Sequence, residues 1–217
     1  EYVIVPPENP SVIDKWAVSE LSKFLNQSTG AVFTIESQDK IADKKKRIFV
    51  GLSTPSIALL GKDPLAGMEN QEHVCKNIGS DIFLFGQGTH GNLYAVYEFL
   101  ENSIGIRWYS PYEKAMIPFR PDLILSGFHR QTRYAFPYRD MYTGPYLLRK
   151  ESMQFLYRNR LNMSLEFWRD GLNQFPGCEG ILNEVKLIPP TVHTLFAYVP
   201  PQEAKAPGAN PPLAFLK

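Results

Sequence analysis

Residues 91–118, GNLYAVYEFLENSIGIRWYSPYEKAMIP, constrain the fold more than any other part of the chain. Leu93, Val96, Tyr97 and Leu100 recur at spacings of three and four, which predicts an amphipathic helix with one apolar face. The aromatic run at 106–109 predicts a strand, and Pro111 and Pro118 punctuate the exit from it. A helix followed so closely by a strand needs a sheet on which both can pack.

The preceding sequence supplies the other layers. Residues 2–5 form a short β-type run closed by Pro6 and Pro7. After Pro10, Ser11 with Asp14 three residues on has the form of a helix start, and Ile13, Trp16, Ala17, Leu21, Phe24 and Leu25 continue at helical spacing. Residues 26–30 stop that helix, 31–35 alternate like a strand, and 47–52 and 81–85 are apolar strands. Strands and helices alternating in short units predict an α/β (α+β) fold: a mixed or partly parallel sheet with flanking helices. Trp16, Leu21, Phe24, Val96, Tyr97 and Leu100 are the expected core.

Beyond Pro118 the pattern changes. Residues 119–132 read as a connector with a short strand at 123–125, and a β-α-β unit follows with strands at 138–142 and 162–168 around a helix at 147–159. From Pro200 onward, five prolines among 18 residues leave no helical or strand period, so an irregular tail is expected.

Composition excludes some classes. With 217 residues and 44% hydrophobic content the chain can bury at least one substantial core. No apolar run reaches the roughly 18 to 20 residues needed to span a bilayer, so no membrane span is expected. The formal charge of +1 gives no general electrostatic basis for binding nucleic acid or anionic lipid. The one basic run, Lys44 to Arg47, flanks an apolar strand and reads as a solvated loop. Cys75 and Cys178 stand alone, without the spacing of a zinc site or disulfide framework, and no metal is expected.

Gly86, Gly88 and Gly91 spell G-x-G-x-x-G between an apolar strand and a helix, with Glu113 further on. That pattern can cradle a pyrophosphate at a helix start, and a nucleotide-binding protein is one alternative. The glycines serve equally in a tight strand-to-helix turn, and Glu113 follows a Ser-Pro turn instead of ending the next strand. No cofactor is therefore expected.

The string LYAVYEFLE, then GIRWY, Pro111 and Ile117-Pro118, resembles the closing helix and strand of the N-terminal domain of α-glucuronidase-like enzymes, and is similar to the second domain of β-hexosaminidases. The resemblance implies an accessory domain over residues 1–125. It also implies the opening β/α units of an incomplete (β/α)8 barrel over 126–201 and an irregular segment over 202–217. Arg107 and Trp108 would be edge or interface residues, with sugar stacking by Trp108 a lesser possibility.

Phe136-Pro137-Tyr138-Arg139-Asp140-Met141-Tyr142 resembles the first barrel strand of β-hexosaminidase-like enzymes, where an arginine at the strand end holds hydroxyls of the terminal sugar. Arg139 falls on that position. Residues 156–168, with Asn162 in the family's Leu-Asn step, resemble the first barrel helix and second strand, although Glu166-Phe167-Trp168 departs from the Trp-His pair usual in hexosaminidases. The segment from Thr191 to Pro201 resembles a third-strand region in which His193 could line the site. The substrate-binding candidates are thus Arg139, Asp140, Glu166, Trp168 and His193. Strand ends of a barrel are where such residues gather: a guanidinium forks onto vicinal hydroxyls or a uronate, and an indole offers a flat face to a pyranose.

Glycoside hydrolysis needs two carboxyl groups about 5 to 9.5 Å apart. The resemblance places them on middle barrel strands, beyond residue 217, leaving the catalytic residues unassigned. The expected function is the N-terminal portion of a carbohydrate-active enzyme, a glycoside hydrolase acting on a plant or host glycan, inactive without the remaining strands. Its partners would be carbohydrate and either the remainder of the barrel or another covering partner. An extracytoplasmic location with the presequence removed is implied, and a non-catalytic carbohydrate-binding module is the other alternative.

Overall fold

The computed structural model describes residues 2–40, 46–125, 127–136, 139 and 150–162, with the backbone alone for 150–153. Among the described residues six strands are formed: β1 (Tyr2–Val5), β2 (Thr34–Ile35), β3 (Lys46–Val50), β4 (His73–Ile78), β5 (Asp81–Gly86) and β6 (His129–Thr132). They make one sheet in the order β2-β1-β3-β5-β4-β6. The first four in that order run parallel, whereas β4 is antiparallel to both β5 and β6. Helices α1 (Val12–Thr29), α2 (Thr54–Leu60), α3 (Gly91–Phe99) and α4 (Lys150–Arg158) accompany it.

The central strands read as unbroken apolar runs because both faces of the sheet are covered. Side chains alternate: Ile4, Ile48, Val50, Ile82 and Leu84 meet α1 and α3 on one face, while Val3, Val5, Phe49, Phe83 and Phe85 meet Leu52, Leu60, Leu65 and Met68 on the other. Leu21, Phe24, Val96, Tyr97 and Leu100 are buried as the helical spacing predicts. Trp16 is half-buried and meets Tyr157 of α4 edge-on, with ring centroids 5.5 Å apart.

Helix α1 starts as its sequence predicts. The Asp14 amide donates to Ser11 Oγ at 3.1 Å, and the Ser11 amide donates back to Asp14 Oδ2 at 2.9 Å. Gly30, with φ of 73°, ends it. Helix α3 runs on into a π-turn, Leu100–Ile104, closed by Gly105 at φ of 94°.

Several elements differ from the sequence expectation. Residues 31–35 shorten to the two exposed residues of β2. Residues 106–109 contribute only an isolated bridge, Arg107 with Met116, since Pro111 and Pro118 turn the chain before a ladder can form. Residues 123–125 form no strand; the sixth strand lies further along, at His129–Thr132, so the sheet continues past residue 125. Helix α2 and strand β4 had no counterpart in the sequence reading. The expected strands at 138–142 and 162–168, and the tail from Pro200, lie outside the described residues apart from Arg139 and Asn162.

Candidate functional site

Of the five candidate binding residues, Arg139 is among the described residues; Asp140, Glu166, Trp168 and His193 lie outside them. Arg139 is half-buried, and oxygens of the protein surround its guanidinium. Nε donates to the Arg160 carbonyl at 3.1 Å, Nη1 to the Phe136 carbonyl at 2.9 Å, and Nη2 to Gln71 Oε1 at 2.6 Å. One face of the cation lies 3.6 Å from the centre of the Tyr134 ring, and the centre of the Tyr94 ring is 6.0 Å away. Burial pulls the guanidinium below its ordinary pKa, opposed by the Tyr94 and Tyr134 phenols.

The backbone of Arg139 is fixed as firmly. Its amide donates to Asn162 Oδ1 at 2.7 Å, and the Asn162 amide donates to its carbonyl at 2.9 Å. Asn162 Nδ2 then reaches Gln71 Oε1 at 3.2 Å. One glutamine oxygen therefore receives both the guanidinium and the asparagine amide. Behind Gln71, its carbonyl faces Nδ1 of the fully buried His73 at 3.0 Å, which makes Nδ1 the protonated ring nitrogen. His73 Nε2 lies 3.9 Å from Glu98 Oε2, too far for a hydrogen bond.

The arrangement presents a fixed cation on an aromatic support. An arginine has five N–H groups in a planar fork, and among the described residues these three bonds and the Tyr94 hydroxyl engage it. Nearby carboxylates are engaged: Glu101 pairs with Arg160 and Arg107, and Glu98 accepts from Asn102 at 2.8 Å. Among the described residues no group of three His, Cys, Asp or Glu side chains could hold a metal. The Cys75 thiol is fully buried, donates to the Ala95 carbonyl at 3.1 Å, and is pushed up by burial and by the nearby Glu98 charge. It is no nucleophile.

The glycine motif has a packing role. A Cβ on Gly91 would sit 2.3 Å from the Gly86 carbonyl carbon, and one on Gly86 would sit 2.7 Å from the Glu72 carbonyl oxygen. Backbone contact between the end of β5 and the start of α3 requires both, and Gly88 supplies a φ of 75° in the turn. Asn92 locks the turn by accepting from the Gly86 amide at 3.0 Å and donating to Asp14 Oδ1 at 2.8 Å. Glu113 lies on the exposed 111–113 bend.

Trp108 is 7% exposed and edge-on to Phe24 and Tyr97, with centroids 5.4 and 5.5 Å away. It also lines a cleft of about 440 Å³ between α1, residues 108–117 and α4. Sequence reasoning assigned no role to Gln71 or Tyr134, and placed Asn162 without its partners. For Gln71 and Asn162 that significance depends on contacts across 23 to 91 positions, which local patterns do not encode.

No family model and no curated protein matches the chain. Its fold is similar to that of BtGH115A, a GH115 4-O-methyl-α-glucuronidase with specificity for decorated arabinogalactans. That likeness has a TM-score of 0.50 and 16% identity over 74% of this chain and 24% of the other. A GH138 enzyme targeting pectin rhamnogalacturonan II also matches, with a TM-score of 0.31 and 12% identity over 46% of this chain and 10% of that one. The chain thus spans about a quarter or less of these solved enzymes. It shares with the first a mixed α/β architecture.

Proposed function

We propose that this chain is the N-terminal portion of a carbohydrate-active glycoside hydrolase, comprising an accessory α/β domain and the opening units of a (β/α)8 barrel. The observation that carries the reading is the fold likeness to an α-glucuronidase over 74% of the chain. Arg139 is the residue of this portion that grips the sugar. Its fixed rotamer and planar fork suit hydroxyls or a carboxylate, and its support by Tyr134 gives the fork a set direction. Asp140, Glu166, Trp168 and His193 complete the proposed binding set. The hydrolytic carboxylates belong to later barrel strands, and the site works in an extracytoplasmic setting on a plant or host glycan.

The test is Arg139→Lys in the whole protein, with saccharide binding measured by calorimetry and folding by circular dichroism. A point-charge ammonium cannot reproduce the planar fork, so binding should weaken by about 1 to 3 kcal/mol while the fold persists. Unchanged affinity would remove Arg139 from the site. Glycan binding without turnover by the whole protein would favour a non-catalytic module instead. A thermal shift with NAD, FAD or ATP would favour a nucleotide site at the glycine turn.

A further inference from the structure

Gln71 is held in an unusual way. It is 6% exposed, has a φ of 66°, and precedes β4 by two positions. Its amide donates to the Gln87 carbonyl at 2.9 Å and its carbonyl accepts from His73. These backbone bonds require a left-handed residue, for which glycine or asparagine is the usual solution. A long side chain at this position adds nothing to the backbone turn. Its terminal oxygen instead lies between Arg139 Nη2 and Asn162 Nδ2.

The choice of an amide has a chemical consequence. A carboxylate at this point would orient the guanidinium but also neutralise it, competing with any anionic or hydroxyl-bearing ligand. An amide oxygen fixes the fork and leaves the positive charge in place. Among the described residues no carboxylate forms an ion pair with Arg139, and the charged group that bears on it is another cation, Arg160.

We infer that Gln71 is a positioning residue: the sheet's own side chain that sets the direction of Arg139 while preserving its charge for the saccharide. This inference rests on the reading of Arg139 as the sugar-gripping residue. It makes the sheet domain a contributor to substrate recognition, acting through Arg139 without touching the sugar.

Two substitutions separate backbone from side chain. Gln71→Gly keeps the left-handed turn and deletes the side chain, and Gln71→Asn tolerates the same backbone but is one methylene too short. Gln71→Glu restores the oxygen and adds a charge. In the whole protein labelled with ¹⁵N-arginine, exchange of the Arg139 Nη–H groups, one of which Gln71 holds, should accelerate about tenfold or more in the Gly and Asn variants and stay slow in the Glu variant. Affinity for a uronate-bearing xylo-oligosaccharide should fall about tenfold in the first two. In the Glu variant the preference over the neutral xylo-oligosaccharide should disappear.

Unchanged Arg139 exchange in Gln71→Gly would overturn the inference directly. So would faster exchange with unaltered affinity, provided Arg139→Lys does weaken binding. If Arg139→Lys itself leaves affinity unchanged, the sugar-gripping reading fails first, and the positioning role falls with it.

Discussion

Arg158 of α4 grips Glu20 of α1 through two hydrogen bonds, Nε to Oε2 at 2.8 Å and Nη2 to Oε1 at 3.0 Å. The Tyr97 hydroxyl of α3 adds a third at 3.3 Å. Three helices therefore converge on one carboxylate whose side chain is 7% exposed. Both burial and the Glu20 charge push the Tyr97 phenol up, so it remains a donor.

Arg158→Met should strand the Glu20 charge and destabilise the chain by about 3 to 5 kcal/mol, toward the lower end because Lys23 lies 3.7 Å from the same carboxylate. Adding Glu20→Gln should recover much of the loss. Urea denaturation of the two single variants and the double variant measures the coupling; strict additivity would show that the pair is not a unit.

Gly91→Ala should be among the most damaging single-methyl additions, since its Cβ would press within 2.3 Å of β5 backbone. A loss of about 3 kcal/mol or more is expected from overpacking against atoms that cannot rotate away. Gly88→Ala should cost about 1 to 2 kcal/mol for its left-handed backbone. Equal, small losses at both positions in chemical denaturation would contradict the packing role.

Stability should fall with acid partly through Glu72. Burial pushes this carboxyl up, but the Glu69 amide, Gln131 and Arg133 outweigh burial and hold it below the usual range. A folded pKa below the unfolded one gives stability that is present above the unfolded value of about 4.3 and is lost as pH falls through the folded value. Glu72→Gln should flatten the stability profile below about pH 4 and lower the neutral-pH plateau by about 1 to 3 kcal/mol. An unchanged slope in acid would assign the effect elsewhere.

Trp108 should matter for folding and not for sugar affinity. Its contacts with Phe24 and Tyr97 predict a loss of about 3 to 5 kcal/mol for Trp108→Ala. Trp108→Phe should keep the fold and leave saccharide binding in the whole protein unaltered. Weakened binding in a folded Trp108→Phe protein would revive a stacking role.

The parts of the fold that were legible in the sequence bury a periodic face or carry a cap. Ser11 and Asp14 announce α1, and the apolar runs of β1, β3 and β5 announce strands covered on both sides. β6 was not legible because its residues, HRQT, are polar and mostly exposed and are held chiefly by pairing with β4. β4 was obscured because Lys76 and Asn77 interrupt its apolar half. Arg139 could be found by resemblance, but Gln71 could not: it sits in an unremarkable polar stretch and acquires meaning only when 68 positions of chain fold back to bring the two together.

The pairing pattern also bears on assembly of the sheet. β4 and β5 are joined by the two residues Gly79 and Ser80, a loop that closes at small entropic cost. β6 must return across more than 50 positions to reach β4, the longest span that the sheet's pairings close. Tyr134, two residues past β6, then becomes available to Arg139. During synthesis from the N-terminus, the aromatic platform for the guanidinium is thus completed only on a finished sheet, and a nascent chain halted before β6 would display a β4 edge open to pairing with a neighbouring chain.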